Sequence, residues 1–172
     1  MRSNDGYEQV IAIEKIIIHS SYDKDGQDND IALIKLKDPI KYNDRALPVC
    51  LPTQDLSAGT ECYISGWGAL SEGGSGPAVL HQAKVPLVDQ NTCKNMYSGY
   101  GMAITPRMRC AGYTAGGIDS CQGDSGGPLV CKVGGRWHLM GVVSWGVGCA
   151  RVGVYGVYAD TVNLKSWILN SM

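Results

Sequence analysis

The sequence predicts an all-β chain, built as one or two packed lobes and closed by a single C-terminal helix. Three observations carry that expectation. The 172 residues include 23 glycines and no phenylalanine, and the Val, Ile and Leu residues fall in short runs between turn-forming residues, the pattern of many short strands. Only at the end of the chain do Leu164, Trp167 and Ile168 recur at helical spacing. A chain of this length buries one sizeable core or two small ones.

The elements follow in order. Residues 10–18 are rich in β-branched side chains and predict a strand, or two joined at Glu14 and Lys15. A polar loop runs from His19 through Gln27. In residues 29–36, Ala32, Ile34 and Leu36 share one face and Ile31 and Leu33 the other, so a largely buried strand is expected with Lys35 reaching outward. Residues 37–56 carry three prolines and little periodicity, as a crossing between lobes would. In residues 61–68, Trp67 stands between two glycines after Cys62 and is expected to pack in the core or between lobes. Residues 71–77 form a glycine-rich loop, 79–88 a strand containing His81, 89–96 a short helix at Cys93, and 104–113 a strand with Cys110. Residues 136–146 and 155–159 read as strands. A helix over 161–170 follows, capped by Thr161 or Asp160.

Fifteen basic residues oppose sixteen acidic ones with no basic block, for a net charge of -1, which argues against a nucleic-acid partner. Seven cysteines stand at 50, 62, 93, 110, 121, 131 and 149. None has paired zinc-ligand spacing, and only three histidines could assist. No metal or other cofactor is implied. Disulfides formed in an oxidising compartment are expected, with free buried thiols as the alternative. The odd count leaves one cysteine over, and the spacing alone does not choose the pairs. No apolar run has the length of a membrane span, and the first six residues are polar.

The chemistry concentrates in residues 117–131. Ser125 stands among glycines, between Cys121 and Cys131 and ahead of an apolar run. Glycine lets backbone N–H groups turn inward unhindered, as an anion-binding nest beside a nucleophile requires. Asp30 stands at the mouth of the strand over 29–36, where a carboxylate is costly without hydrogen-bond donors. Either it caps a turn or it has a functional role.

Gly123-Asp124-Ser125-Gly126-Gly127-Pro128, with Asp119 six residues before the serine and Ser144-Trp145-Gly146 after it, resembles the trypsin-like, chymotrypsin-fold serine proteases. The resemblance runs from about residue 10 to the C-terminus. It implies two β-barrels. Residues 1–50 would be a remnant of the first, carrying the triad aspartate, and residues 51–172 the second, carrying nucleophile and specificity pocket.

By that resemblance Ser125 is the nucleophile, Asp30 orients the catalytic imidazole, and the N–H groups of Gly123 and Ser125 receive the oxyanion. Asp119 lies at the floor of the primary pocket with Gly146 and Gly156 as its walls, which implies cleavage after Arg or Lys. Ser144, Trp145 and Gly146 pair with the substrate backbone, and Asp124 receives the new ammonium terminus formed on activation. Met1 lies past the position from which that terminus would come. The implied disulfides are Cys62–Cys131, Cys93–Cys110 and Cys121–Cys149, leaving Cys50 for a propeptide or stem segment of a larger exported or membrane-tethered precursor. Protein protease inhibitors would be partners besides peptide substrates.

Two departures stand out. Tyr155 replaces the proline usual before the pocket glycine. The histidine segment is absent: His19 and His138 match non-catalytic positions. The sequence is therefore expected to begin partway through a larger protein and to be inactive alone, with uncovered apolar faces in its first lobe. A non-catalytic, protein-binding homologue is the rival reading.

Overall fold

A computed structural model describes residues 6–172; the expectation about Met1 lies outside them. The described residues form two antiparallel sheets and two helices. The smaller sheet pairs β1 (Ile13–Ile18) with β2 (Ala32–Leu36), in a register that sets Ile16 opposite Ile34 and Ile18 opposite Ala32. The larger contains β3 (Glu61–Gly66), β4 (His81–Pro86), β5 (Met108–Ala111), β6 (Pro128–Val133), β7 (Arg136–Trp145) and β8 (Gly156–Asp160), in the order β4-β3-β6-β7-β8-β5.

This sheet curls until its edges meet. Leu87 bridges Ala111, Val88 N–H donates to Cys110 O at 2.9 Å, and Gly112 N–H donates to Pro86 O at 3.0 Å. Inside lie Ile64, Val85, Leu129, Met140 and Tyr158 with the Cys62–Cys131 disulfide. The six strands and their closure match a trypsin-like barrel, with the β1–β2 hairpin as the incomplete first barrel.

Helix α1 (Gln90–Ser98) starts where Asp89 accepts from Thr92 N–H at 2.9 Å, and it buries Cys93 and Tyr97, one turn apart. Cys93 is bonded to Cys110 of β5. Helix α2 (Thr161–Ser171) is capped by Asp160, which accepts from Val162 N–H at 2.9 Å, and it lays Leu164 and Ile168 against Ile31 and Ala159. Of the two cap candidates, Asp160 fills the role.

Three expectations are corrected. The strand over 29–36 is not largely buried: Ile31 is, but Ile34 is 58 % exposed and Ala32 is open as well. The physical reason is that β2 belongs to a two-stranded sheet, so only its inner face has something to pack on, and Ile16 and Ile18 of β1 are open too. Trp67 is not a core residue either, being 46 % exposed. The flanking glycines have a different cause: a Cβ on Gly66 or Gly68 would collide with the Asp124 carboxylate, and Trp67 itself lies in the bend just past β3. The strand expected over 104–113 is confined to Met108–Ala111.

The hairpin is tied to the barrel by polar contacts. Asp28 accepts from Thr105 Oγ1 at 2.7 Å and forms a two-point ion pair with Arg107. His19 stacks on Trp167 of α2, ring centres 4.9 Å apart.

Candidate active site

Ser125 is exposed, on a turn between two glycines with left-handed backbone, Gly123 (φ 97°) and Gly126 (φ 80°). A side chain is strained at either position. The turn is pinned to β7, since Gly126 N–H donates to Val143 O and Val143 N–H to Gly127 O, both at 2.9 Å. Among the described residues the N–H groups of Gly123 and Ser125 have no acceptor, which leaves two donors available beside the hydroxyl.

Behind the turn, Asp124 accepts from Gly68 N–H at 2.8 Å and from Cys121 N–H at 3.0 Å. A Cβ on Gly66 or Gly68 would collide with this carboxylate. No cation pairs with Asp124 among the described residues.

Asp119 and Ser125 line one slot of about 210 Å³, together with Ser120, Trp145, Gly146 and Gly156. The Asp119 carboxylate accepts from Ser120 N–H at 2.8 Å and Ala150 N–H at 3.1 Å. A Cβ on Gly156 would lie 2.5 Å from Asp119 Oδ1, so glycine is required there, whereas Gly146 has ordinary clearance. Burial pushes the Asp119 carboxyl above the ordinary carboxylate range, against the pull of the Ala150 and Ser120 N–H groups, and the Asp124 charge adds to the rise. Burial likewise raises the Tyr158 phenol, which stays a neutral partner for Ser120 Oγ at 3.2 Å.

Asp30 precedes β2 and accepts from Ser144 Oγ at 2.6 Å. Ser144 lies where the register of β7 against β8 shifts, between Val143 and Trp145. Such a bulge re-aims a side chain out of the ladder. Asp30 and Ser125 line one cavity of about 680 Å³, floored by Ile16, Ile18 and Leu33. Ser125 therefore stands at the junction of this cavity and the acidic slot.

The three histidines lie elsewhere. His19 is against Trp167, His81 opens β4 with Nδ1 2.8 Å from Val79 O, and His138 is buried in β7 with Nδ1 3.2 Å from Arg136 O. None lines the shared cavity.

The cysteines pair as Cys62–Cys131, Cys93–Cys110 and Cys121–Cys149. Cys50 is free and half-buried, its N–H donating to Trp137 O at 3.0 Å.

The family profile described as Trypsin matches residues 1–168. The chain belongs to the trypsin family. It is similar to trypsin-1 of Astacus astacus, 45% identical over 168 residues that cover 98% of this chain and 70% of the relative. It is likewise similar to trypsin-3 of Salmo salar, 46% identical over 170 residues, covering 98% and 68%. This trypsin-family chain is thus classed as a serine endopeptidase.

Sequence reasoning missed three contacts of this trypsin-family site. Ser144 was expected only to pair with substrate backbone, and its hydroxyl holds Asp30. The Asp28–Arg107 tie joins residues 79 apart, and Glu72 reaches Arg151 across a similar span. No local sequence signal marks such pairs.

Proposed function

We propose that the chain carries the nucleophile and the specificity pocket of a trypsin-like endopeptidase selective for Arg or Lys, with Ser125 as the site of the acyl ester. The observation that carries this reading is the position of Ser125, between a slot floored by Asp119 and a cavity that also holds Asp30. A buried carboxylate in a narrow slot favours a long cationic side chain, because any other occupant leaves the charge unpaired. Arginine gains further from its fork geometry.

Bound this way, a substrate presents its scissile carbonyl to Ser125 Oγ, and the developing oxyanion is received by the N–H groups of Gly123 and Ser125. The serine proton requires an imidazole standing between Ser125 and Asp30, held in its tautomer by the Asp30 carboxylate. Ser144, Trp145 and Gly146 would align the substrate backbone, and Asp124 would take an ammonium terminus on activation. Residues 1–50 act as the partner lobe of residues 51–172, and Cys50 would bond a segment outside the sequence. An extracellular setting fits the three disulfides.

With no histidine at the shared cavity, the 172-residue chain is expected to give no amidolytic turnover. That same fact favours a second reading, a non-catalytic homologue that holds proteins in the cleft. Incubation with an activated guanidinobenzoate ester, followed by mass spectrometry, separates the two. Enzymes of this family that have lost a triad member keep roughly 10³- to 10⁴-fold catalysis over water. Slow acylation at Ser125, abolished by Ser125→Ala and by Asp119→Asn, is expected. An adduct level that those variants do not change would refute the endopeptidase reading.

A further inference from the structure

At the rim of the slot lies a clasp that the proposed chemistry does not use. Glu72, in the loop after β3, accepts from Arg151 Nε at 2.8 Å through Oε2, while its other oxygen pairs with the second guanidinium nitrogen. Oε2 also accepts from Cys149 N–H at 3.3 Å. The two side chains lie flat over Gly148, where any Cβ would collide with both. Gly148 also has φ 73°, so its glycine has two reasons. Two-point recognition of this kind fixes orientation as well as distance.

What the clasp holds is the wall of the slot. Gly148 and Cys149 line it, and the next residue, Ala150, donates its N–H to Asp119. Ala150 does so from left-handed backbone, φ 55°, a conformation that a side-chain-bearing residue keeps only when its surroundings impose it. The Cys121–Cys149 disulfide and the 2.8 Å bond from Gly117 N–H to Ala150 O restrain the segment from one side. Glu72 restrains it from the other.

We propose that Glu72 is a positioning residue for the primary pocket: by clasping Arg151 and the Cys149 N–H, it holds residues 148–150 where Ala150 reaches Asp119. The inference rests on the reading of Asp119 as the pocket floor. Glu72 touches no substrate atom. Its loss leaves Asp119 with one backbone donor less firmly held and frees the Arg151 cation at the mouth of a slot that receives cations.

Benzamidine, a small arylamidine, is the probe. Its affinity would be measured by calorimetry for the full chain, Glu72→Gln, Asp119→Asn, and the exchanged pair Glu72→Arg with Arg151→Glu. Glu72→Gln should weaken binding about 3- to 5-fold, the scale of an exposed charge pair. The exchanged pair should recover most of that loss. Unchanged affinity in Glu72→Gln overturns the proposal, as does a loss accompanied by unchanged amide exchange over residues 147–151, which marks a bare rim-charge effect. Should Asp119→Asn bind as well as the unaltered chain, the pocket reading falls instead. Amide exchange then decides on Glu72 alone: faster exchange over residues 147–151 in Glu72→Gln supports the clasp, and unchanged exchange refutes it.

Discussion

Ser144 Oγ and Asp30 Oδ2 stand 2.6 Å apart, although 114 residues separate them. This bond joins the start of β2 to the bulge of β7, and so carries the hairpin's carboxylate to the side of the barrel where Ser125 lies. A neutral hydroxyl bonded to a half-buried carboxylate contributes about 1–2 kcal/mol. Ser144→Ala should lower the urea-unfolding free energy by about that amount without altering the m-value. An unchanged midpoint would mean that Asp30 is satisfied equally well by solvent.

Asp28 offers an independent test of how the hairpin is docked. Burial raises its carboxyl, but the Arg107 and Thr105 hydrogen bonds outweigh it, so the group sits below its ordinary value of 3.8. A depressed carboxylate contributes stability that is present above 3.8 and lost as pH falls through the lowered value. Arg107 is about one-third exposed, which discounts the pair. Asp28→Asn should cost about 1 kcal/mol at neutral pH, and the difference should vanish on acidification. A gap that persisted in acid would point to a steric cause.

Asp119 behaves with the opposite sign. Its raised carboxyl takes up a proton in the fold before it does in the unfolded chain, so the ionised group opposes folding above that value. Stability should therefore rise as pH falls through the raised value toward 3.8. Asp119→Asn should remove that component and be the more stable form at neutral pH. Benzamidine affinity should fall over the same interval as the carboxylate is neutralised. Thermal unfolding and titration calorimetry at stepped pH check both trends.

The open face of the hairpin predicts a surface property. Ile16, Ile18 and Ile34 are each more than half exposed and lie in the large cavity. Such a patch binds hydrophobic dyes and promotes association. Ile34→Lys should reduce binding of anilinonaphthalene sulfonate while shifting stability by less than about 0.5 kcal/mol, as exposed sites do. A steep loss of stability would show that Ile34 is packed in solution.

Most of the barrel strands, the two helices and the segment around Ser125 were legible in sequence because their signals are local, whereas β6 stood only as an apolar run after Ser125. The C-terminal helix shows its apolar spacing and a cap candidate, Asp160, and glycines flank the serine. Burial of β2 was misread because alternation reports which residues could share a face, not whether anything covers it. Trp67 was misread because the glycines on either side of it answer to the Asp124 carboxylate, a contact 56 residues away, and not to packing of the indole. The Ser144–Asp30 bond and the Glu72–Arg151 clasp were invisible for the same reason. Each depends on how the curled sheet brings distant loops together.

A crystal structure of the full chain with benzamidine tests the central claim most directly. The account predicts the amidinium paired with the Asp119 carboxylate between Gly146 and Gly156. Ser125 Oγ should stand at the mouth of that slot, and Asp30, held by Ser144, should face it across one open cavity. Benzamidine bound elsewhere, or Asp30 and Ser125 on unrelated faces, would contradict it.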